Sequence, residues 1–324
     1  MENSMILHKD KNLFIKAIKE TSDNFAIQDY FIEKDYWITL ILKRLSESKY
    51  VYSVVFKGGT SLSKGFKLIN RFSEDVDIAV LDVADITGNQ LKTLIRTVEK
   101  EIAVDLEEIN FEGVTSKGSR FRKAVYKYPE TQKQKAGGIV SDTIIVEINS
   151  FANPYPYSKV GIQSLIGEYL QNNNQYELIS KYRLEAFEVN VLDVKQTLIE
   201  KLVSLVRFSF AENSLEELSG KIRHFYDLYY LMNNKECSDY LNGKQFLTDF
   251  NAILDHDKKA FDEPQGWKQK ELQESPLLND FDTLWKTLKN VYSKELSMLA
   301  YTVIPKEQEV ASNFKQLISL FLEP

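Results

Sequence analysis

Histidine, cysteine and long apolar runs are scarce in this chain, and each scarcity removes a class of function. With one cysteine, Cys237, in 324 residues, no intrachain disulfide can form. The three histidines, His8, His224 and His256, stand too far apart in sequence for a zinc-type cluster. No apolar run approaches the ~20 residues that a membrane-spanning helix needs. The polar, mixed-charge opening Met1-Glu2-Asn3-Ser4 lacks the apolar core of a secretory signal. The cytoplasm is the expected location. Positive charge is not in excess either: the formal net charge is −6, so the chain as a whole does not advertise a nucleic-acid binder. Repeats and low-complexity tracts are missing. What remains is an ordinary globular composition, 43% hydrophobic and 27% charged, in a chain long enough for two domains with their own cores.

The informative segment is Phe56-Lys57-Gly58-Gly59-Thr60-Ser61-Leu62-Ser63-Lys64, followed by Ser73-Glu74-Asp75-Val76-Asp77-Ile78-Ala79-Val80. On a strand, residues i and i+2 share a face, so Asp75 and Asp77 project side by side while Val76, Ile78 and Val80 supply buried positions. Two carboxylates so close repel unless a cation lies between them. Oxygen ligands of this kind suit Mg²⁺, or Mn²⁺, together with substrate phosphates. Upstream, Gly58 and Gly59 allow close backbone approach, and Thr60 and Ser61 are good caps for a helix expected over about 62–69. A helix N-terminus after such a turn is an anion site. A phosphate cradle and a metal clamp on one unit point to chemistry on a nucleoside triphosphate.

In these residues the chain resembles the AbiEii/AbiGii toxin family of nucleotidyltransferases, within the DNA polymerase β-like superfamily. The likeness rests on the GGTSLSK wording and on Arg71, Ser73, Asp75 and Asp77 in an Arg-x-Ser-x-Asp-x-Asp pattern. It is extended by Ile32-Glu33-Lys34-Asp35-Tyr36-Trp37, by Glu200-Lys201-Leu202 and by Arg223-His224-Phe225-Tyr226-Asp227-Leu228. It covers about residues 30–235; beyond about 240 the likeness is only that both are helical. The resemblance implies an α+β fold: a polymerase β-like mixed sheet flanked by helices over 1–190, then an α-helical domain over 191–324.

The resemblance also implies roles. A third carboxylate should come from a strand beside the Asp-x-Asp strand, and Glu147, within Thr143-Ile144-Ile145-Val146-Glu147-Ile148-Asn149-Ser150, is the candidate. A charge among Ile and Val is costly unless it meets a metal or partner; the alternative is a strand-end acid reaching solvent. Asp75, Asp77 and Glu147 would hold the metal. Gly58, Gly59, Thr60, Ser61 and Lys64 would bind the β- and γ-phosphates, with Arg71 and Ser73 also in the nucleotide site. Lys201 would bind the γ-phosphate, and Asp227 would orient the acceptor hydroxyl or hold Lys201. Read alone, Arg223 and Asp227 at i, i+4 are an exposed ion pair. His224 is read as structural or acceptor-orienting rather than as the base. NTP is the expected substrate, RNA (a tRNA 3′ end) the expected acceptor, and a co-encoded antitoxin an expected partner, with direct contact left open. Two other readings stay open: transfer to a small molecule or protein side chain, and a non-catalytic nucleotide-binding module.

Elsewhere, periodicity predicts helices over about 11–22, 29–47 and 87–103, and strands near 51–57, 105–111, 120–128 and 143–150. The basic run Lys117, Arg120, Arg122, Lys123, Lys127, Lys133 and Lys135 is interleaved with Phe121, Tyr126 and Tyr128. With Arg120, Arg122, Tyr126 and Tyr128 on one strand face, it suits RNA or triphosphate contact, or else is a solvated hairpin. From Val194 the chain reads as helical. Ser214 and Glu217 suggest a capping box, and 255–276 reads as a polar loop.

Overall fold

The structure is a computed structural model that describes residues 6–73, 75–81, 84, 86–129, 131 and 142–322. The chain forms two compact units: residues 1–67 with 72–192, and residues 68–71 with 193–324.

The first unit holds β1 (Val54–Lys57), β2 (Asp75–Val80), β3 (Glu107–Ile109), β4 (Ser116–Lys117), β5 (Phe121–Lys127), β6 (Thr143–Asn149), β7 (Tyr157–Ile162) and β8 (Phe187–Leu192). They form one mixed sheet in the order β3-β5-β6-β2-β1-β8-β7, with β4 paired to β5. β2 is antiparallel to β1 and parallel to β6, and β1 is parallel to β8. The unit's helices are α1 (Lys11–Phe25), α2 (Asp29–Glu47), α3 (Gly58–Lys64), α4 (Gly88–Ile102), α5 (Leu165–Asn172) and α6 (Tyr176–Tyr182).

Sequence explains the main packing. In α4, Leu91, Ile95, Val98 and Ile102 recur at helical spacing and are all buried, and Thr87 with Gln90 closes a capping box at its start. α2 buries Phe31, Ile32, Trp37, Ile38, Ile41, Leu42 and Leu45. Both helices lie on the sheet face that carries Arg122 and Tyr126, since Glu99 of α4 bonds both side chains and Trp37 of α2 stacks on Tyr128 at 5.6 Å. Four elements between 157 and 192, β7, α5, α6 and β8, escape the periodicity reading. β7 contains Gly161 and is largely exposed, so it reads as loop. β8 has a plain alternation, yet it lies next to β1 in the sheet's interior.

The second unit holds α7 (Val194–Ser209), α8 (Ser214–Ser219), α9 (Ile222–Asn233), α10 (Lys235–Leu241), α11 (Gln245–Ala260), α12 (Pro276–Asn279), α13 (Phe281–Leu299) and α14 (Glu307–Ser319). α7 buries Val194, Leu198, Leu202, Leu205 and Val206 as the spacing predicts. The Ser214–Glu217 capping box does not form: Asn213 holds the cap position, without a side-chain cap bond. Residues 255–260 continue α11 instead of opening a loop, and Trp267 in the following segment is fully buried, its Nε1 donating to the Phe261 carbonyl at 3.0 Å. Among the described residues no helix is long and apolar enough to cross a membrane.

Candidate active site

Register brings the acids together. The parallel pairing of β2 with β6 sets Asp75 beside Ile145 and Asp77 beside Glu147. Across the antiparallel neighbours, Lys57 opposes Asp77 and Lys123 opposes Glu147. Because side chains alternate along a strand, Asp75, Asp77, Glu147, Lys57 and Lys123 share one face. That face is opposite the one under α2 and α4. The helices therefore support the acids from behind.

Glu147 is perturbed. Burial pushes its carboxyl above the usual range; Lys123 pulls it back, and Asp75 pushes it up again. The Lys123 ammonium lies 3.5 Å from Glu147 Oε2. Glu147 is a half-buried acid, its side chain 25% exposed, with a cation opposite it. Among the described residues no three His, Cys, Asp or Glu side chains converge on one point to form a metal site. The donor set nonetheless fits a hard divalent cation: three carboxylates on two adjacent strands, one of them with its charged form disfavoured by burial.

The glycine turn meets the same acids. Gly58 has φ +81°, and a Cβ there would lie 2.2 Å from Asp77 Oδ2. Only glycine fits both the backbone conformation and the carboxylate. The helix begins at Gly58, not at Leu62, and ends at Lys64, with Lys57 at its cap position. Thr60 and Ser61 do not cap it. The Thr60 hydroxyl donates to the Asp75 carbonyl, and Ser61 Oγ donates to the Gly58 carbonyl at 2.8 Å. Both are buried: Thr60 ties α3 to β2 and Ser61 bonds within the helix's own first turn, so neither offers its hydroxyl outward.

Lys64 also differs from its assignment. It stands at the far end of α3, where Nζ donates to Asp35 Oδ1 at 2.6 Å and to the Gln163 carbonyl at 2.8 Å. Asp35 Oδ2 accepts from Leu165 N at 2.7 Å. The pair is a buried clamp between α2, α3 and the start of α5, and it engages the charge that a phosphate would need. Ser73 is buried just before β2.

Arg71, Lys201 and Asp227 meet inside the second unit. Arg71 grips Asp227 bidentately, Nε to Oδ1 at 2.7 Å and Nη2 to Oδ2 at 2.6 Å. Lys201 Nζ lies 2.7 Å from Oδ2. Burial alone would raise the Asp227 carboxyl, but Arg71 and Lys201 outweigh it and hold it well below the usual range. Arg71 is thus an ion-pair partner of Asp227, whatever it does toward a nucleotide. Arg223 does not pair with Asp227; it bonds Glu295 at 2.6 Å. Burial, then Lys201 and Lys221, hold the His224 imidazole well below its ordinary pKa. Its Nδ1 is buried without a hydrogen-bond partner among the described residues. A neutral ring in that place suits packing, not acid catalysis.

The basic run does not present the surface expected of it. Arg122 and Tyr126 are taken by Glu99 of α4, and Tyr128 is buried against Trp37. Lys117 and Lys127 pair with Glu108 and Asp142 at 2.6 Å and 2.8 Å. Arg120 is exposed; Lys133 and Lys135 lie outside the described residues. The aromatics on that face are core, because the helices need an apolar face to cover. Lys57 and Lys123 join the acid row without any signal in their local sequence. Strand pairing alone would have found them.

The sequence pattern of the family described as nucleotidyl transferase AbiEii toxin, type IV toxin–antitoxin system, matches residues 40–313. The match begins after Ile32–Trp37 and runs well past residue 240, where the sequence likeness had thinned to helical content. No curated protein matches. Among solved structures, the chain is similar to MenT4, a nucleotidyltransferase toxin from Mycobacterium tuberculosis H37Rv, with 13% identity and a TM-score of 0.37 over 86% of this chain and 96% of that one. The chain belongs to the AbiEii family of nucleotidyltransferase toxins.

Proposed function

We propose that this nucleotidyltransferase moves a nucleoside monophosphate from an NTP to an acceptor hydroxyl on RNA, in the manner the family resemblance implies for tRNA 3′ ends. The observation that carries the proposal is the β2–β6 register, which sets Asp77 beside Glu147 with Asp75 on the same face. These three carboxylates would hold Mg²⁺ or Mn²⁺, which would neutralise triphosphate charge and lower the pKa of the attacking hydroxyl. The chain's own residues do the positioning. The missing Cβ at Gly58 leaves room for Asp77 and lets the backbone at 58–59 approach the β- and γ-phosphates. Lys57 and Lys123 flank the acids as cations. The acceptor oxygen forms its bond to the α-phosphorus as the bond to the bridging oxygen breaks; pyrophosphate leaves and the hydroxyl gives up its proton. Such transfers depend mainly on alignment and charge neutralisation. For Lys201, assigned by resemblance to the γ-phosphate, Asp227 is the positioning group. In a toxin–antitoxin or phage-defence setting, a co-encoded antitoxin is the natural partner.

The test is incubation with Mg²⁺, each labelled NTP and total RNA, reading label on RNA, protein or small molecules. Asp77→Asn should fold normally and transfer at least ~100-fold more slowly, because one ligand charge is lost where negative charge develops. Near-normal transfer by folded Asp77→Asn protein removes the catalytic assignment. Label on protein or on a small molecule instead of RNA moves the acceptor to that class.

A further inference from the structure

We propose that Lys92, Arg96 and Lys100, on the outer face of α4, clamp the phosphate backbone of the acceptor RNA away from its reacting end; this rests on the RNA reading above. The three cations stand at i, i+4 and i+8 of one helix, so they follow one another along a single stripe. All three are exposed, and they line one groove of about 490 Å³. Among the described residues no acid forms an ion pair with any of them. Glu101, the acid in the same groove, accepts from Ser48 Oγ at 3.2 Å.

The packing of α4 does not call for this stripe. The helix is held by its inward face, where Leu91, Ile95, Val98 and Ile102 are buried and Glu99 bonds Arg122 and Tyr126. Like charges four residues apart weaken a helix, and Lys92, Arg96 and Lys100 make two such contacts in succession. The negative end of the helix dipole favours Lys100 alone, because its effect fades within the last turn. In a chain of formal net charge −6, the stripe gathers positive charge against the overall balance.

Charge and surface choose the occupant. Eight residues at 1.5 Å each make the stripe about 12 Å long, the advance of roughly three to four nucleotides of one strand. A membrane surface would need an apolar helix face beside the cations, and that of α4 is buried on the sheet. A protein partner would anchor on apolar and aromatic side chains at the centre of its interface; the groove's apolar side chain is Val104 alone. A phosphate backbone needs only the cations. α4 covers the sheet face opposite Asp75, Asp77 and Glu147. The sheet and the helix's own diameter of about 10–12 Å therefore separate the stripe from the acids. It meets RNA well away from the hydroxyl that reacts.

The test follows the anisotropy of labelled full-length tRNA against salt, for wild type and for the triple variant Lys92→Gln, Arg96→Gln, Lys100→Gln. Loss of three phosphate contacts should flatten the slope of log affinity on log salt by roughly 2–3. In the transfer assay it should raise KM for tRNA about tenfold or more. The rate at saturating tRNA and KM for NTP should stay at wild-type values, because the stripe lies behind the sheet. The variant should melt no lower than wild type, since two like-charge contacts are removed. Lys92→Arg with Lys100→Arg keeps the charge and should keep both slope and KM. If wild type labels tRNA and the triple variant matches it in slope and KM, the clamp is overturned and the RNA reading stands. An unchanged tRNA slope with lost binding of polyglutamate also overturns it, and assigns the stripe to an acidic protein. If wild type labels no tRNA, the RNA reading falls and takes the clamp with it.

Discussion

Asp227 is fully buried, and its charge is tolerable only because Arg71 and Lys201 sit on it. Removing one member of such a group leaves uncompensated charge in the interior, which typically costs about 3–5 kcal/mol. Asp227→Asn should therefore lower the thermal transition of the second unit markedly. Its acid behaviour follows from the sign of the shift. A carboxyl held below its ordinary value of 3.8 contributes stability above that value and loses it as pH falls through the lowered one. Wild type should lose that stability in acid, while Asp227→Asn should show a flatter curve in the same range. Equal melting of the two proteins at neutral pH would mean that the triad holds nothing. Lys201→Met leaves the bidentate Arg71–Asp227 bond in place, so it should cost less stability than Asp227→Asn and more activity. At this scale the sequence was legible where a motif fixed the partner and misleading where the partner was distant. Asp75, Asp77 and Glu147 fell on one face as alternation predicts. Lys64 pairs with Asp35, 29 residues earlier. Nothing in the local pattern around Lys64 signals that pairing.

The decisive element is the turn from β1 into α3. Its helix begins at the glycines because Gly58 takes a positive φ that starts the helix directly off the strand. Thr60 and Ser61, chosen as caps by residue type alone, instead face inward and bond main-chain carbonyls. Side-chain type told where a helix starts only to within a few residues. Gly58→Ala would combine backbone strain with a Cβ 2.2 Å from Asp77 Oδ2. It should cost roughly 1–3 kcal/mol from the strain and displace Asp77, with transfer falling to near the Asp77→Asn level. Gly113→Ala is the control. That glycine also has a positive φ, +79°, but nothing lies within 4 Å of its Cβ. It should lose comparable stability and keep its activity. If both variants transfer like wild type, the contact between turn and acid does not matter to the site. Elements with strong 3.6-residue periodicity, α2 and α4, were readable from sequence. β7 was not, since an edge strand exposed on most positions has no apolar pattern to show.

At the scale of the whole chain, the division into units does not follow the chain's order. A linear boundary near 190 is what the change from strand to helix patterning suggests. The unit that begins at Asp193 also takes in Leu68–Arg71, a four-residue segment whose role is tertiary and so invisible to local pattern. Arg71 supplies the bidentate grip on Asp227 and bridges Ala300. The Asn70 carbonyl accepts from Tyr301 N at 3.1 Å, and the Ile69 carbonyl from the Tyr301 hydroxyl at 3.2 Å. A fragment spanning 191–324 would keep its helices but leave Asp227 with Lys201 alone and Tyr301 without those two acceptors. By the cost of breaking a buried ion pair, about 3–5 kcal/mol, it should melt well below the corresponding transition of the full chain. Adding a peptide covering residues 66–73 should raise that transition, since a ligand that binds only the folded state stabilises it in proportion to its occupancy. The same peptide with Arg71→Met should raise it far less. A fragment that melts as in the full chain and ignores both peptides would show that the segment is not part of the second unit's fold.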